Sequence, residues 1–163
     1  MSVARVKWLG EADIAVDVDA TRALAARIAE RNQQTAPAGF AGCDCAECRN
    51  LALSFDERFP ESLKKPLTEI GIDWKQPLEA ARLVCHEAER AISHACEFFF
   101  VGHAPPHLHF VSSGGDYINI TGEDPRFGGL LRQLHGSDSA FGNISIDFPN
   151  VPWLLQEPFP EYD

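Results

Sequence analysis

Two runs of strict alternation open the chain and commit it to a sheet. Ala4, Val6 and Trp8 alternate with Arg5 and Lys7. After Gly10-Glu11, Ala12, Ile14, Val16 and Val18 alternate with Asp13, Asp17 and Asp19. A period of two on both sides of a short turn predicts a β-hairpin with one wet face. Asp19 or Thr21 then caps a helix running to about Gln33, whose buried stripe is thin: Leu24, Ile28 and alanines.

The middle of the chain is mostly helical in pattern. Residues 35–42, TAPAGFAG, form a loop of small and turn-forming residues. Asp44 and Glu47 stand at capping-box spacing, with Asp in place of Ser or Thr. The helix they open carries Cys48, Leu51, Ala52, Phe55 and Phe59 on one face and stops at Pro60. A further helix covers about 61–70, with Gly71 as its stop. Over 78–94 both periods fit: Leu78, Ala81, Cys85, Ala88 and Ile92 have helical spacing, whereas Leu83, Cys85 and Phe98-Phe99-Phe100-Val101 read as strand. The preferred reading is a hairpin, 82–88 against 93–101, turning near Glu89-Arg90.

The last third reads as strands at 108–112 and 117–121, a short helical piece at 130–134 and a final strand at 144–148. Residues 149–163 are a proline-rich tail extended over the surface. Together these elements predict a single α+β domain over 1–163: an antiparallel sheet with an N-terminal hairpin and about three helices packed on it.

Composition narrows the classes of function. Of the 163 residues, 45% are hydrophobic and 23% charged, which suits a core-forming chain rather than a disordered one. No apolar run approaches the roughly eighteen residues of a membrane span, and the N-terminus has no signal-peptide core. The net charge of −10, from 24 acidic and 14 basic residues, repels nucleic-acid backbones and anionic lipid and favours a basic protein partner. Five cysteines without a secretion signal point to a reducing compartment, so the expected location is the cytoplasm. Cys85 and Cys96 read as ordinary buried thiols.

The densest chemical feature is Cys43-Asp44-Cys45-Ala46-Glu47-Cys48. With Asp44 as N-cap, three thiols crowd a helix start whose dipole favours thiolate. Three readings compete. Zinc is favoured by the thiolates and the Cys-x-x-Cys half-site, with a fourth ligand to be found among His94, Cys96, His103, His107 and His109. Thiol redox chemistry is suggested by Cys45-x-x-Cys48 at a helix start, although the usual preceding strand is replaced by a loop. In the third, Cys48 packs in the core and the other two thiols are structural bystanders.

A second cluster is His103-Ala104-Pro105-Pro106-His107-Leu108-His109. On a strand, His107 and His109 face one side, which suits a metal, with Glu97 or Asp116 as a third ligand, or an acid/base pair; it equally suits a polar strand face. No nucleophile elbow, P-loop, dinucleotide fingerprint or His-Glu-x-x-His is present, so nothing in the sequence supports an enzyme.

Several segments carry a resemblance when taken in order: Cys45-Ala-Glu-Cys48-Arg49-Asn50, then Gly71-Ile72-Asp73-Trp74-Lys75-Gln76-Pro77-Leu78-Glu79, Phe100-Val101-Gly102 and Pro152-Trp153-Leu154-Leu155-Gln156-Glu157-Pro158. Over about 43–158 the chain resembles a family of small uncharacterised bacterial proteins. The resemblance implies a cytosolic α+β domain with Cys-x-x-Cys-x-Asn at a helix start, and strand before Phe100. It implies no activity. Phe99 stands where relatives often carry a histidine. Two functional expectations result: a non-catalytic binding protein, immunity-like against a basic partner, or a zinc or thiol-redox protein using Cys43, Cys45 and Cys48.

Overall fold

The computed structural model describes residues 3–162. Its elements in chain order are β1 (Val3–Trp8), β2 (Ala12–Asp17), α1 (Val18–Thr35), α2 (Ala46–Ala52), α3 (Phe55–Arg58), α4 (Glu61–Glu69), β3 (Glu79–His86), β4 (Ala91–His103), β5 (His107–Val111), β6 (Tyr117–Thr121), α5 (Gly128–His135) and β7 (Phe141–Pro152). The seven strands form one antiparallel sheet in the order β1-β2-β4-β7-β6-β5, with β3 paired to β4 as well. The expected α+β class and N-terminal hairpin are both present.

Strand β4 is the axis of the fold. Along one edge it pairs with β7 for nearly its whole length; the other edge is shared between β3 and, at Gly102 and His103, β2. Its side chains alternate between two cores. Cys96, Phe98 and Phe100 face one that includes Leu51, Phe55, Phe59, Leu63 and Leu67 from α2 to α4. Phe99 and Val101 face another, with Leu24 and Ile28 of α1 and Leu131 of α5. Burial on both faces explains why this strand reads as an unbroken apolar run. Burying each such Phe or Leu is worth about 1.5–3 kcal/mol, so the three-phenylalanine run anchors both layers.

The sheet is drawn tight where β2 meets β4. Gly102 has φ +148°, and a Cβ there would sit 1.9 Å from the Ala15 carbonyl oxygen. Only glycine permits that approach. One turn of α1 is fastened at the same place: Thr21 Oγ1 donates to Asp17 O at 2.7 Å and accepts from Val101 N–H at 2.9 Å.

Several elements differ from the sequence expectation, each for a local reason. The N-cap of α1 is Asp17, whose carboxylate accepts from Ala20 N–H, not Asp19 or Thr21. The helix expected from Asp44 to Phe59 is two pieces, because the chain turns at Leu53 and Ser54 so that Phe55 and Phe59 pack edge to face, 5.5 Å between ring centres. Five helices result among the described residues where about three were expected. The ambiguous stretch is strand, with its turn at Glu87–Arg90 closed by Arg90 N–H to Glu87 O.

The segment read as a proline-rich surface tail begins as strand and continues as a strap. Strand β7 continues to Pro152, and the residues after it are fastened to α2. Asn50, fully buried, donates through Nδ2 to Pro152 O at 3.0 Å and accepts through Oδ1 from Leu154 N–H at 2.6 Å and Leu155 N–H at 3.3 Å. Arg49 grips Glu157 with two parallel hydrogen bonds. Tyr162 donates to Glu47 Oε1 and lies under the Arg82 guanidinium, 3.9 Å from ring centre. No helix among the described residues is long and apolar enough to cross a membrane.

Candidate metal centre

The loop before α2 places the first thiol. Residues Phe40 and Cys43 exchange two backbone hydrogen bonds, Phe40 N–H to Cys43 O at 2.8 Å and Cys43 N–H to Phe40 O at 3.0 Å. Between them Ala41 and Gly42 both have positive φ, 52° and 72°, as a tight two-residue hairpin turn requires. The turn is pinned from below by the Phe40 ring, 4.6 Å from that of Phe55. From there the chain runs through Asp44 into Cys45, which is the N-cap of α2 in extended conformation. The expected Asp44 cap is therefore displaced by one residue, and no side chain caps the helix.

The outcome is a triangle of sulfurs. Cys43 is half-buried, Cys45 exposed and Cys48 buried, and their Sγ atoms all lie within 4.8 Å of one another. All five cysteines are free thiols. Sulfurs around a tetrahedral zinc stand roughly 3.8 Å apart, given Zn–S bonds of about 2.3 Å. The three residues therefore lie close enough to hold a metal ion. Cys43 stands on the turn, and Cys45 and Cys48 stand one helical turn apart.

The electrostatics of the triangle are uneven. Burial opposes a charge on Cys43, but the Cys45 backbone N–H and the thiols of Cys45 and Cys48 donate to it and hold it below the ordinary cysteine value. Burial, reinforced by donation to the neighbouring thiols, pushes Cys48 far up. The outer thiols are thus not equivalent: Cys43 is the more readily ionised and Cys48 the less. The helix dipole is a smaller contributor than the sequence suggested, because α2 has only seven residues. Arg49, in the same first turns, donates through Nε to Asp44 O at 3.0 Å and closes the polar rim.

The histidines do not join the sulfurs. Cys43, Cys45 and Cys48 are the one group of three or more His, Cys, Asp or Glu with ligand atoms this close among the described residues. His103 ends β4, in a cleft with Arg5 and Lys7. His107 and His109 sit on β5 and face one side as expected, both against Asn119 Oδ1, at 3.4 and 2.9 Å; His109 also stacks on Tyr117. Asp116, one proposed third ligand, is taken up by the turn it closes with Ser112. His94 is 1% exposed with both ring nitrogens lacking a hydrogen-bond partner in the protein, and burial pushes its imidazole below the ordinary value. Cys96 is fully buried in the core, which raises its thiol.

One constellation is invisible until register is known. Glu79, Glu97, Ser145, Asn119 and His109 pair successively across β3, β4, β7, β6 and β5, forming a polar row over one sheet face. Within it Ser145 Oγ donates to Glu97 Oε1 at 3.1 Å. Glu97 is 7% exposed, and burial raises its carboxyl above the ordinary glutamate value despite the help of Asn143 and Ser145. Glu97, the other third ligand offered for His107 and His109, stands three strands away from theirs, with Ser145 and Asn119 between in this row.

Comparison of the chain with models of known protein families, with curated proteins and with solved structures finds no match.

Proposed function

We propose that this protein binds a thiophilic metal ion, zinc first among them, through Cys43, Cys45 and Cys48, and that its role is binding rather than catalysis. The observation that carries this reading is the sulfur triangle, every edge within 4.8 Å, built by two independent local structures, the turn at 40–43 and the first turn of α2. Three thiolates satisfy zinc's preference for sulfur and leave a fourth position on the side of the exposed Cys45, open to water or to an exogenous ligand. A thiol-redox role through Cys45 and Cys48 draws less support, because the motif follows a tight turn rather than a buried strand.

Metal analysis with thiol counting on fresh protein tests it. About one zinc per chain and no titratable thiol among the three is the expected result, with serine at any of the three positions reducing the stoichiometry. Protein that stays metal-free in zinc-supplemented medium, with all three thiols reactive, overturns it.

A second reading, an immunity-like binder of a basic protein, is favoured by the net charge of −10. It predicts an association that weakens steeply with ionic strength. Capture that is indifferent to salt counts against it.

A further inference from the structure

Charge is distributed unevenly in this acidic chain, and two of its six basic side chains without an ion pair among the described residues share a cleft. Eight lysine and arginine side chains are paired with carboxylates, among them Arg49 with Glu157 and Arg82 with Glu47. Arg5 and Lys7 make no ion pair among the described residues, although they stand two apart on one face of β1, where like charges repel. Register brings a third nitrogen base beside them: Arg5 is opposite Ala15 of β2, and Ala15 is opposite His103 of β4. The carboxylate in this lining is Asp13, opposite Lys7 in register but in no ion pair with it.

The strand geometry opens the space. Strand β2 pairs with β4 only at Ala15 and Val16, and beyond that the hairpin diverges from the sheet. A cleft of about 480 Å³ lies there, with Ala104 and Pro105 also in its lining. That volume falls within the roughly 300–1,000 Å³ typical of small-molecule sites and exceeds what a bare ion needs. Its lining combines a forked guanidinium, an ammonium and an imidazole, the donor set that suits a phosphate or carboxylate group.

We infer that the cleft between the N-terminal hairpin and the end of β4 binds a small organic anion, with Arg5, Lys7 and His103 on its phosphate or carboxylate head and Ala104 and Pro105 against its body. The chain's overall negative charge, which disfavours long polyanions, works here as a filter: a compact anion reaches the local positive site, whereas a nucleic acid meets the surrounding repulsion. This site is independent of the sulfur triangle.

Backbone amide spectra recorded while titrating inorganic phosphate, phenyl phosphate and succinate, at constant ionic strength, test the assignment. Saturable shifts confined to Arg5–Lys7, Asp13–Ala15 and His103–Ala104 are expected, with the preferred head group identified by comparing phenyl phosphate with succinate, and the contribution of the body by comparing phenyl phosphate with inorganic phosphate. Arg5→Gln and Lys7→Gln, both on an exposed edge strand, should retain the native spectrum elsewhere and weaken binding by roughly tenfold each. No saturable shift up to millimolar concentrations, shifts spread evenly over all basic residues, or undiminished binding in the double variant would each overturn it.

Discussion

At the scale of single residues, the sulfur triangle and the buried carboxylate make opposite demands on protons. Cys43 is held below the ordinary thiol value while Cys48 and Cys96 are raised. Metal-free protein treated with iodoacetamide near neutral pH should therefore be alkylated at Cys43 well before Cys48 or Cys96, as peptide mapping over time will show. Glu97 supplies the pH experiment. Its folded-state carboxyl lies above the ordinary glutamate value, so the native state binds more protons than the unfolded chain between the two. Stability consequently falls as pH rises through that window. Glu97→Gln keeps an acceptor for Ser145 and removes the buried charge. It should raise the denaturation midpoint at neutral pH and lose its advantage below the ordinary glutamate range; equal effects at both pH values would contradict the assignment of the shift to burial.

At the scale of elements, α2 is stabilised less by its own seven residues than by the strap that crosses it. Asn50 makes three hydrogen bonds to residues 152–155 from a fully buried position. Asn50→Ala should cost on the order of 2–3 kcal/mol in urea unfolding, because it orphans buried backbone groups as well as removing bonds. Cys48 should also become more accessible to alkylation, since the same helix carries it. Elements of this kind divide what the sequence disclosed from what it concealed. The hairpin, the helix of Leu24 and Ile28, and the strand of Phe98–Phe100 were legible because periodic burial writes itself into residue order. The break at Leu53–Ser54, the anchored tail and the polar row through Glu97 and Ser145 were not, because each depends on a partner distant in sequence. The triangle lies between these cases. Spacing nominated Cys43, Cys45 and Cys48, but only the turn at Ala41 and Gly42 explains how three sulfurs converge.

At the scale of the whole molecule, two features link distant parts. The first is the close approach of β2 to β4 at Gly102. Gly102→Ala forces the hairpin away from the sheet and should lower the thermal midpoint by several degrees or prevent folding; native-like stability would mean that the contact relaxes freely. The second is the proposed metal. An ion bound only by the native arrangement stabilises the entire domain, so chelation should lower the unfolding midpoint of wild-type protein and leave the Cys48→Ala variant unmoved.

The central position of β4 has a consequence in the time domain. During synthesis its three phenylalanines leave the ribosome with β3 already available on one edge, while the strand that covers the other edge, β7, begins only at Phe141. At about 5–20 residues per second, the intervening residues 104–140 take seconds to appear. For that interval an apolar strand edge stands open, and the helix bearing Cys48 lacks the strap that will cross it. Soluble yield should therefore depend more on chaperone supply and growth temperature than the finished protein's packing would suggest, as expression with and without added chaperone at two temperatures will show.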